Sequence, residues 1–306
     1  MPAIVGIDDD LPLLPAGNYS HRMADIFEVG VVGSGIMGAG LAEVAARAGY
    51  QVLVVSRQRS NAEAARSQVS RGFDRQIAKG RMTDDERDVI LSRIAVTDQI
   101  AELANCDLVI ESVVEDLSTK KTLFAELDRV VKPSGILATN TSTLPVVELA
   151  MSTQRPALVC GIHFFNPAPV MKLVEVVRPL TASQDTIERA LEFAERCGKD
   201  AITVADRAGF VVNALLFPYL NNAVRMWEAQ TATMEAIDAA MQGGCGFPMG
   251  PFALLDLIGL DTSLSILDAL YAEFRDPNYA AVPTLRRKVT AGHLGRKSGL
   301  GFYEYR

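Results

Sequence analysis

A glycine-rich turn between a short apolar run and a helical run is the strongest constraint in this sequence. Val29-Gly-Val-Val is followed by glycines at positions 33, 35 and 38, and then by Leu41-Ala-Glu-Val-Ala-Ala-Arg-Ala. In a strand–turn–helix unit, such glycines permit the turn, the approach of a pyrophosphate and close packing of the helix. The helix N-terminus also favours phosphate. The pattern therefore predicts a dinucleotide-binding turn, rather than a plain apolar turn, with these contact residues: Gly33, Ser34, Gly35, Ile36, Met37 and Gly38.

Short β-type runs and helical segments alternate from Val29 to Val204. Because parallel strands need crossover connections, this alternation predicts an α/β fold with a doubly wound, mostly parallel Rossmann-type sheet. A helical pair, about Asn61–Lys79 and Thr83–Arg93, is predicted as an insertion after the second strand, Gln51–Val55. Thr83 and Glu86 have the spacing of a capping box for the second helix of the pair.

The composition changes near Arg207, after which helical runs dominate. We predict three parts: a poorly ordered N-terminal arm (1–27), a dinucleotide-binding domain (28–207) and an all-helical substrate and dimerisation domain (208–306). The predicted helical runs of the last part are Phe210–Gln230, Thr233–Gly243, Pro251–Phe274 and Val282–Ala291.

The bulk properties exclude several classes of protein. A net charge of −7 argues against general binding to nucleic acid or anionic membranes. The chain has neither an apolar run long enough to span a membrane nor a secretory signal pattern. Its four cysteines are isolated and lack metal-ligand spacing, which predicts reduced thiols, no metal site and a cytoplasmic protein.

Polar side chains follow the predicted strands where a ligand would bind, outside the carboxyl ends of a parallel sheet. Glu115 follows Leu108–Val114, Asn140 and Ser142 follow Ile136–Thr139, and His163 follows Leu158–Ile162. His163 stands where a catalytic base is expected, and a structural histidine is the alternative. Glu175 interrupts an apolar run, so its carboxylate needs a partner, which a nearby imidazolium would provide.

Seven blocks together resemble the L-3-hydroxyacyl-CoA dehydrogenases, in particular the bacterial 3-hydroxybutyryl-CoA dehydrogenase branch. They occur in order between about Phe27 and Arg306, and the blocks beginning at His163 and Gly246 are the most specific. The blocks are Gly30–Gly40, Asn140-Thr-Ser-Thr143, His163-Phe-Phe-Asn-Pro167, Met171-Lys-Leu-Val-Glu-Val176, Gly209-Phe-Val-Val-Asn213, Gly246-Phe-Pro-Met-Gly-Pro251 and Gly299-Leu-Gly-Phe-Tyr303.

The resemblance implies interconversion of a 3-hydroxyacyl-CoA and a 3-oxoacyl-CoA by hydride transfer with a nicotinamide cofactor. It implies that His163 is the acid/base, that Glu175 orients it, and that Ser142 and Asn213 hold the reacting oxygen. Ser142 has a second interpretation as a helix cap. The residues implied at the cofactor cleft are Glu115, Lys120, Asn140, Ser142, Asn166 and Lys297. Glu115 and Lys120 could instead belong to a solvated helix face.

Three basic residues, Arg71, Arg75 and Lys79, recur every four positions on the first helix of the predicted insertion. This spacing places them on one helix face. In the family, the insertion borders the CoA adenine and phosphates, so these side chains are candidate phosphate partners. A solvated basic stripe is the alternative.

The end of the second strand departs from the family pattern. NAD-selective units carry an acidic residue there, which binds the ribose hydroxyls. This chain has Ser56, followed by Arg57 and Arg59. Arginine offers a bidentate fork to phosphate, so we predict NADP(H) as the favoured cofactor. The alternative is NAD(H), with Ser56 on the ribose and both arginines in solvent.

Two other functions remain open at this level. The first is a dehydrogenase of a free hydroxy acid, as in gulonate-type relatives, which lack the intact block at His163. The second is a non-catalytic nucleotide-binding protein, which the presence of Ser142, His163, Glu175 and Asn213 disfavours. The resemblance also implies a homodimer.

Overall fold

The computed structural model describes residues 26–305, and all but the last two residues of the predicted arm (1–27) lie outside that range. The strands are β1 Glu28–Val32, β2 Gln51–Val55, β3 Ile94–Thr97, β4 Leu108–Glu111, β5 Ile136–Thr139, β6 Val159–Phe164, β7 Leu173–Arg178 and β8 Asp200–Ala205. The helices are α1 Ile36–Arg47, α2 Arg59–Ile77, α3 Asp84–Ser92, α4 Leu117–Val130, α5 Val146–Ala150, α6 Gln184–Arg196, α7 Val212–Glu228, α8 Met234–Cys245, α9 Pro251–Ile258, α10 Leu260–Phe274 and α11 Pro283–Thr290.

The strands form one sheet in the order β3-β2-β1-β4-β5-β6-β7-β8. The pairs from β3 to β6 are parallel, β6 and β7 are antiparallel, and β7 and β8 are parallel to each other. The predicted Rossmann-type, mostly parallel sheet is therefore confirmed. From β1 the strand order proceeds to one edge of the sheet through β2 and β3, and from β4 it proceeds to the other edge. In such sheets, ligands bind in the crevice at the carboxyl ends of the two strands where the order changes, here β1 and β4.

Apolar cores cover both faces of the sheet. Val29 and Val31 of β1 belong to the core on one face, whereas Val32 belongs to the core on the other. The helices from α7 onward enclose a separate core around Phe217, Phe252 and Leu267. This separate helical core agrees with the predicted all-helical C-terminal region, while the domain boundary near Arg207 stays a prediction.

The inserted helical pair forms as predicted. Thr83 Oγ1 accepts from the backbone N–H of Glu86 at 3.2 Å, and Glu86 accepts from the N–H of Thr83 at 2.8 Å. This reciprocal pair is the expected capping box. The first helix of the pair ends at Ile77, so Lys79 lies in the turn before Gly80 and not on the helix. The prediction of one helical stripe is therefore wrong for Lys79.

Two predicted elements have different bounds. The strand expected over Leu108–Val114 ends at Glu111, and the helix expected over Pro251–Phe274 consists of α9 and α10. The two helices meet at Gly259, whose φ of 104° lies outside the helical region. An apolar pattern that runs through a single glycine conceals such a break.

Asp256 of α9 fastens the C-terminal segment to the helical domain. It is 1% exposed and accepts from the N–H groups of Phe302 and Tyr303, both at 2.8 Å, and from the Tyr305 hydroxyl at 3.0 Å. Asp238 similarly accepts from two N–H groups at the start of α9, and from the Tyr303 hydroxyl at 3.0 Å.

The cysteines within residues 26–305 are free thiols. Burial raises the pKa of Cys106, Cys160 and Cys197 to about 12, so these thiols stay protonated near neutral pH. In that range, no three His, Cys, Asp or Glu side chains form a group that could hold a metal ion. Nor does any helix in this part of the chain combine the length and apolarity needed to cross a membrane.

The role of Asp256 gives a prediction about stability. D256A leaves two backbone N–H groups without their acceptor, and each such buried donor costs roughly 1–3 kcal/mol. We expect the free energy of unfolding, measured by urea titration, to fall by about 2–5 kcal/mol. D268A is the matched control, because Asp268 makes a partly exposed ion pair with Arg286 in the same domain, and such pairs contribute about 1 kcal/mol or less. Equal losses in the two variants would contradict the assignment.

Candidate active site

The glycine turn is packed so closely that side chains are excluded. Gly33 has φ 121° and donates its N–H to the Val55 carbonyl at 2.9 Å. A Cβ on Gly33 would collide with the Ser112 carbonyl, and one on Gly38 would collide with the Gly33 carbonyl. At Gly35, by contrast, the space is open, and the N-terminus of α1 has no side-chain cap. An open, uncapped helix N-terminus is the geometry that accepts a pyrophosphate.

A cleft of about 1500 Å³ begins at this turn. Its lining joins the ends of β1, β2, β4 and β5 to the N-terminal half of α10, so both domains contribute. Twelve of the fifteen predicted cofactor residues line it: Gly33, Ser34, Gly35, Ile36, Met37, Ser56, Arg57, Glu115, Lys120, Asn140, Ser142 and Asn166. Among the described residues, Gly38, Arg59 and Lys297 were predicted to contact the cofactor but do not line this cleft.

His163 and Glu175 face each other directly across the antiparallel β6–β7 pair. His163 Nδ1 and Glu175 Oε2 are 2.8 Å apart, and both side chains are almost fully buried. Because a carboxylate only accepts, the bond requires a proton on Nδ1 and leaves Nε2 as the basic nitrogen of the neutral ring. The rings of Phe165 and Phe210 pack against the imidazole, with centroids 4.5 and 5.4 Å away.

The second oxygen of Glu175 reaches the helical domain. Oε1 accepts from the N–H groups of Val211 and Val212, at 3.1 and 3.0 Å, where α7 begins. A carboxylate at a helix N-terminus is favourable, because it satisfies free N–H groups and faces the positive end of the helix dipole. Asn213 is the next residue of α7 and is buried. One carboxylate thus orients His163 and fixes the helix that carries Asn213.

Ser142 lies in the loop that follows β5 and does not cap a helix. The cap position of α5 is Pro145, and the first N–H groups of that helix, on Val146 and Val147, donate to Asp206 at 2.9 and 2.7 Å. Burial raises the pKa of Asp206. The helix-cap interpretation of Ser142 is therefore wrong, and Ser142 is one of the residues that line the cleft.

Glu115 and Lys120 form a partly buried ion pair rather than a solvated helix face. Lys120 is 1% exposed and lies 3.0 Å from Glu115 Oε2. It also contacts both carboxylate oxygens of Glu111, at 2.7 and 2.9 Å. Glu111 was missed by the sequence analysis, although a carboxylate in an apolar run was the signal that identified Glu175.

The last residue of β6 is hydrogen-bonded to the loop after β5. The Asn140 side-chain oxygen accepts from the Phe164 N–H at 2.8 Å, which ties the end of β6 to the site. Asn166 is exposed and borders the cleft. Asn140 therefore has a positioning contact that its sequence position alone did not predict.

At the end of β2, the Ser34 hydroxyl donates to the Ser56 hydroxyl at 3.0 Å. Arg57 is exposed and lines the cleft. Arg59, in contrast, is the first residue of α2 and pairs with Glu63 at 3.2 Å. The two arginines that the sequence presents together are thus separated by the structure.

The remaining candidates lie at the edges of the cleft or outside it. Lys297 pairs with Asp261, whose oxygens lie at 2.6 and 2.7 Å, and Asp261 itself lines the cleft. Arg71 and Arg75 are exposed on α2, and Lys79 is exposed in the turn beyond it. Asp261 was not predicted, because nothing in its local sequence distinguishes it from a surface residue.

Two family models match nearly the whole described chain. The NAD binding domain of 3-hydroxyacyl-CoA dehydrogenase matches residues 28–207, and the C-terminal domain of 3-hydroxyacyl-CoA dehydrogenase matches residues 209–305. The resemblance inferred from the sequence blocks is thereby confirmed.

Individual relatives agree with these matches. A 3-hydroxybutyryl-CoA dehydrogenase of Mycobacterium tuberculosis is 47% identical over 286 residues, which cover 92% of this chain and 100% of the relative. The crystal structure of (S)-3-hydroxybutyryl-CoA dehydrogenase PaaH1 from Ralstonia eutropha has a TM-score of 0.90 at 39% identity, covering 92% of this chain and 100% of that one. The structure of M. tuberculosis FadB2 has the same TM-score and coverage at 47% identity. This chain therefore belongs to the 3-hydroxyacyl-CoA dehydrogenase family.

Proposed function

We propose that this enzyme interconverts (S)-3-hydroxybutyryl-CoA and acetoacetyl-CoA, with His163 as the acid/base and NADP(H) as the preferred cofactor. The observation that carries the proposal is the buried pair of His163 and Glu175 at the end of the sheet. A base held by a carboxylate, beside a dinucleotide cleft, suits the removal of a proton from a secondary alcohol.

His163 takes the hydroxyl proton at Nε2 during oxidation and returns it during reduction. Glu175 keeps Nδ1 protonated, which directs Nε2 toward the substrate, and it stabilises the imidazolium that forms. A bound nicotinamide cofactor would supply the hydride chemistry at C3 of the substrate, and residues of the cleft such as Gly35, Glu115 and Asn166 would hold it.

Ser142 and Asn213 have the chemistry to donate hydrogen bonds to the reacting oxygen of the substrate. Such preorganised donors stabilise charge that develops on oxygen in the transition state. Ser142 belongs to the sheet domain and Asn213 to the first turn of α7. To reach one oxygen, the two side chains need α7 to be seated against Glu175, so we include the contact between the domains in the proposed catalytic geometry.

The role of His163 can be tested by substitution. H163Q keeps a similar size but lacks the basic nitrogen, and general-base catalysis contributes roughly 100- to 10 000-fold. We expect kcat for acetoacetyl-CoA reduction to fall by about that factor, with cofactor binding unchanged in a fluorescence titration. H293Q, outside the site, is the control. Turnover of free acetoacetate equal to that of acetoacetyl-CoA would instead support a hydroxy-acid dehydrogenase.

The NADP(H) preference rests on the groups at the end of β2. Ser56 replaces an acidic residue that would repel a 2′-phosphate, and Arg57 offers a cation at the cleft. Ser34 donates to Ser56, so the Ser56 hydroxyl keeps its own hydrogen for an acceptor on the cofactor. Arg59 does not line the cleft and pairs with Glu63 at the surface, so we assign the phosphate contact to Arg57.

This assignment predicts different outcomes for the two arginines. R57Q removes the cation at the cleft, and a charge-assisted hydrogen bond contributes about 1.5–3 kcal/mol. We expect kcat/KM for NADPH to fall by about 10- to 100-fold and that for NADH to stay within about twofold. R59Q, the matched control, should change neither constant appreciably, and S56D should favour NADH. A wild-type enzyme with equal or higher kcat/KM for NADH would refute the preference.

We propose that Arg71 and Arg75, with Lys79 in the following turn, contact the phosphates of CoA. The support is their shared exposure on the inserted helical pair and the two arginines' spacing of four residues on α2. Because Lys79 does not continue the helical stripe, we assign the larger share to the arginines.

Charge reversal tests the phosphate contact. The double variant R71E/R75E should raise KM for acetoacetyl-CoA about tenfold or more through repulsion of the phosphates, with little change in kcat. The thioester acetoacetyl-N-acetylcysteamine lacks those phosphates, so its KM should not change. R129E on α4 controls for the general effect of added negative charge. An equal change for both thioesters would contradict the contact.

We also propose a homodimer formed through the helical domain. Leu215, Met226 and Phe247 of this region are exposed by 72%, 47% and 41%. Burial of these side chains against a second copy would remove apolar surface from water, which supports the proposal.

A further inference from the structure

A cluster of charged side chains lies beneath the loop that carries Ser142. Its members, Glu111, Lys120 and Glu115, are supplied by the end of β4, by α4 and by the loop between them. The side chains of Glu111 and Lys120 are 0% and 1% exposed, whereas that of Glu115 is 38% exposed and borders the cleft. Burial of a charged pair is costly unless its hydrogen bonds are complete, so the contacts of this cluster indicate what it holds in place.

The contacts of Lys120 match its bonding capacity. An ammonium group has three N–H donors. The Lys120 nitrogen lies 2.7 Å from Glu111 Oε1, 2.9 Å from Glu111 Oε2 and 3.0 Å from Glu115 Oε2. The two contacts with Glu111 are hydrogen bonds and the third is an ion pair with Glu115, which makes Lys120 an internal counter-ion of two carboxylates.

Glu111 is held just as fully. Its Oε1 accepts from the Val113 N–H at 2.6 Å, and its Oε2 accepts from the Thr139 hydroxyl at 2.8 Å. The Thr139 hydroxyl in turn accepts from the Thr141 N–H at 3.2 Å. Glu111 thus fixes the start of the loop before α4 and the start of the loop after β5.

Glu115 connects the buried Glu111–Lys120 pair to the backbone of Ser142. Its Oε2 contacts Lys120, and its Oε1 accepts from the Ser142 N–H at 2.9 Å and from the Thr141 hydroxyl. The backbone of Ser142 is therefore attached to a carboxylate that Lys120 holds. Without Lys120, Glu115 could turn to solvent, since its side chain is partly exposed.

We propose that Glu111 and Lys120 are positioning residues for Ser142, which act through Glu115. This inference rests on the proposed function, in which Ser142 holds the reacting oxygen. It assigns Lys120 to the geometry of the reacting centre and not to binding of the cofactor. A shift of the Ser142 backbone by about 1 Å is enough to lower turnover by around 100-fold.

Two variants separate this role from a general structural one. K120M removes the counter-ion, and E111Q/K120M removes both buried charges together, so that no isolated buried carboxylate remains at position 111. In each we expect kcat for acetoacetyl-CoA reduction to fall by about 10- to 100-fold, with the cofactor KM within about threefold. K121M is the matched control, since Lys121 lies on the same helix in an exposed pair with Glu148, and it should keep wild-type turnover.

A double-mutant cycle with Ser142 provides the decisive measurement. S142A should lower kcat by about 100-fold on its own. If Lys120 acts through Ser142, K120M should cost less than about threefold in the S142A background, because the group it positions is already absent. Multiplicative losses, unchanged turnover in K120M, or a rise in cofactor KM as large as the loss in kcat would each overturn the proposal.

The result stays interpretable if the variants fold poorly. Circular dichroism and a cofactor titration establish folding, and E115Q, at the partly exposed carboxylate, must show the same non-additivity with S142A if neither Lys120 variant folds. A wild-type enzyme that does not reduce acetoacetyl-CoA refutes the proposed function instead. If the wild-type enzyme reduces acetoacetyl-CoA but the losses in kcat from the variants multiply in the double-mutant cycle, only the positioning role is refuted.

Discussion

The carboxylate of Glu175 joins three parts of the molecule that must act together. One oxygen orients His163 across the antiparallel strand pair, and the other accepts two N–H groups at the start of α7. Because the side-chain period of a strand is two, a shift of one residue in the β6–β7 register would place His163 and Glu175 on opposite faces. The register of one strand pair therefore sets the tautomer of the base and the seating of the helical domain. The single antiparallel pairing in the described sheet is thus the one that carries the His163–Glu175 pair.

Three other carboxylates connect separate segments in the same way. Asp206 accepts from the first two N–H groups of α5, Asp238 from two at the start of α9, and Asp256 from two in the C-terminal segment. Each of these carboxylates accepts at least two hydrogen bonds from backbone N–H groups, and each loses that stabilisation if the segments separate. The family block Gly299–Tyr303 has a physical explanation on this basis. A Cβ at Gly301 would collide with the Asp256 carboxylate, so glycine is required where Asp256 reaches the backbone of Phe302 and Tyr303.

Sequence patterns predicted the elements that depend on local signals. The bounds of β2 and β5 and the capping box at Thr83 agree with the structure, since apolar runs and cap residues are read locally. The break at Gly259 and the early end of β4 were missed, because the apolar pattern continues through both. Glu111 was missed for a related reason: its carboxylate is satisfied by Lys120 and Thr139, from elements 9 and 28 residues further along. Tertiary contacts decide these positions, and no spacing within one element reveals them. The roles of the site residues remain predictions, although the structure brings His163 and Glu175 together as the sequence required.

Cofactor selectivity is a question that the glycine turn cannot answer. Gly33 and Gly38 create room for a pyrophosphate, which NAD(H) and NADP(H) share, so their geometry does not discriminate between the two. Discrimination depends on whether the groups at the end of β2 donate or only accept. Ser56 accepts from Ser34 and retains its own hydrogen, and Arg57 presents only donors. A phosphate dianion is acceptor-only and complements such a set, whereas a ribose hydroxyl gains less from it. Arg59 lies outside the cleft and pairs with Glu63, so Arg57 provides the one guanidinium group available to a 2′-phosphate. The proposed selectivity therefore depends on the Ser34–Ser56 hydroxyl pair and a single cation.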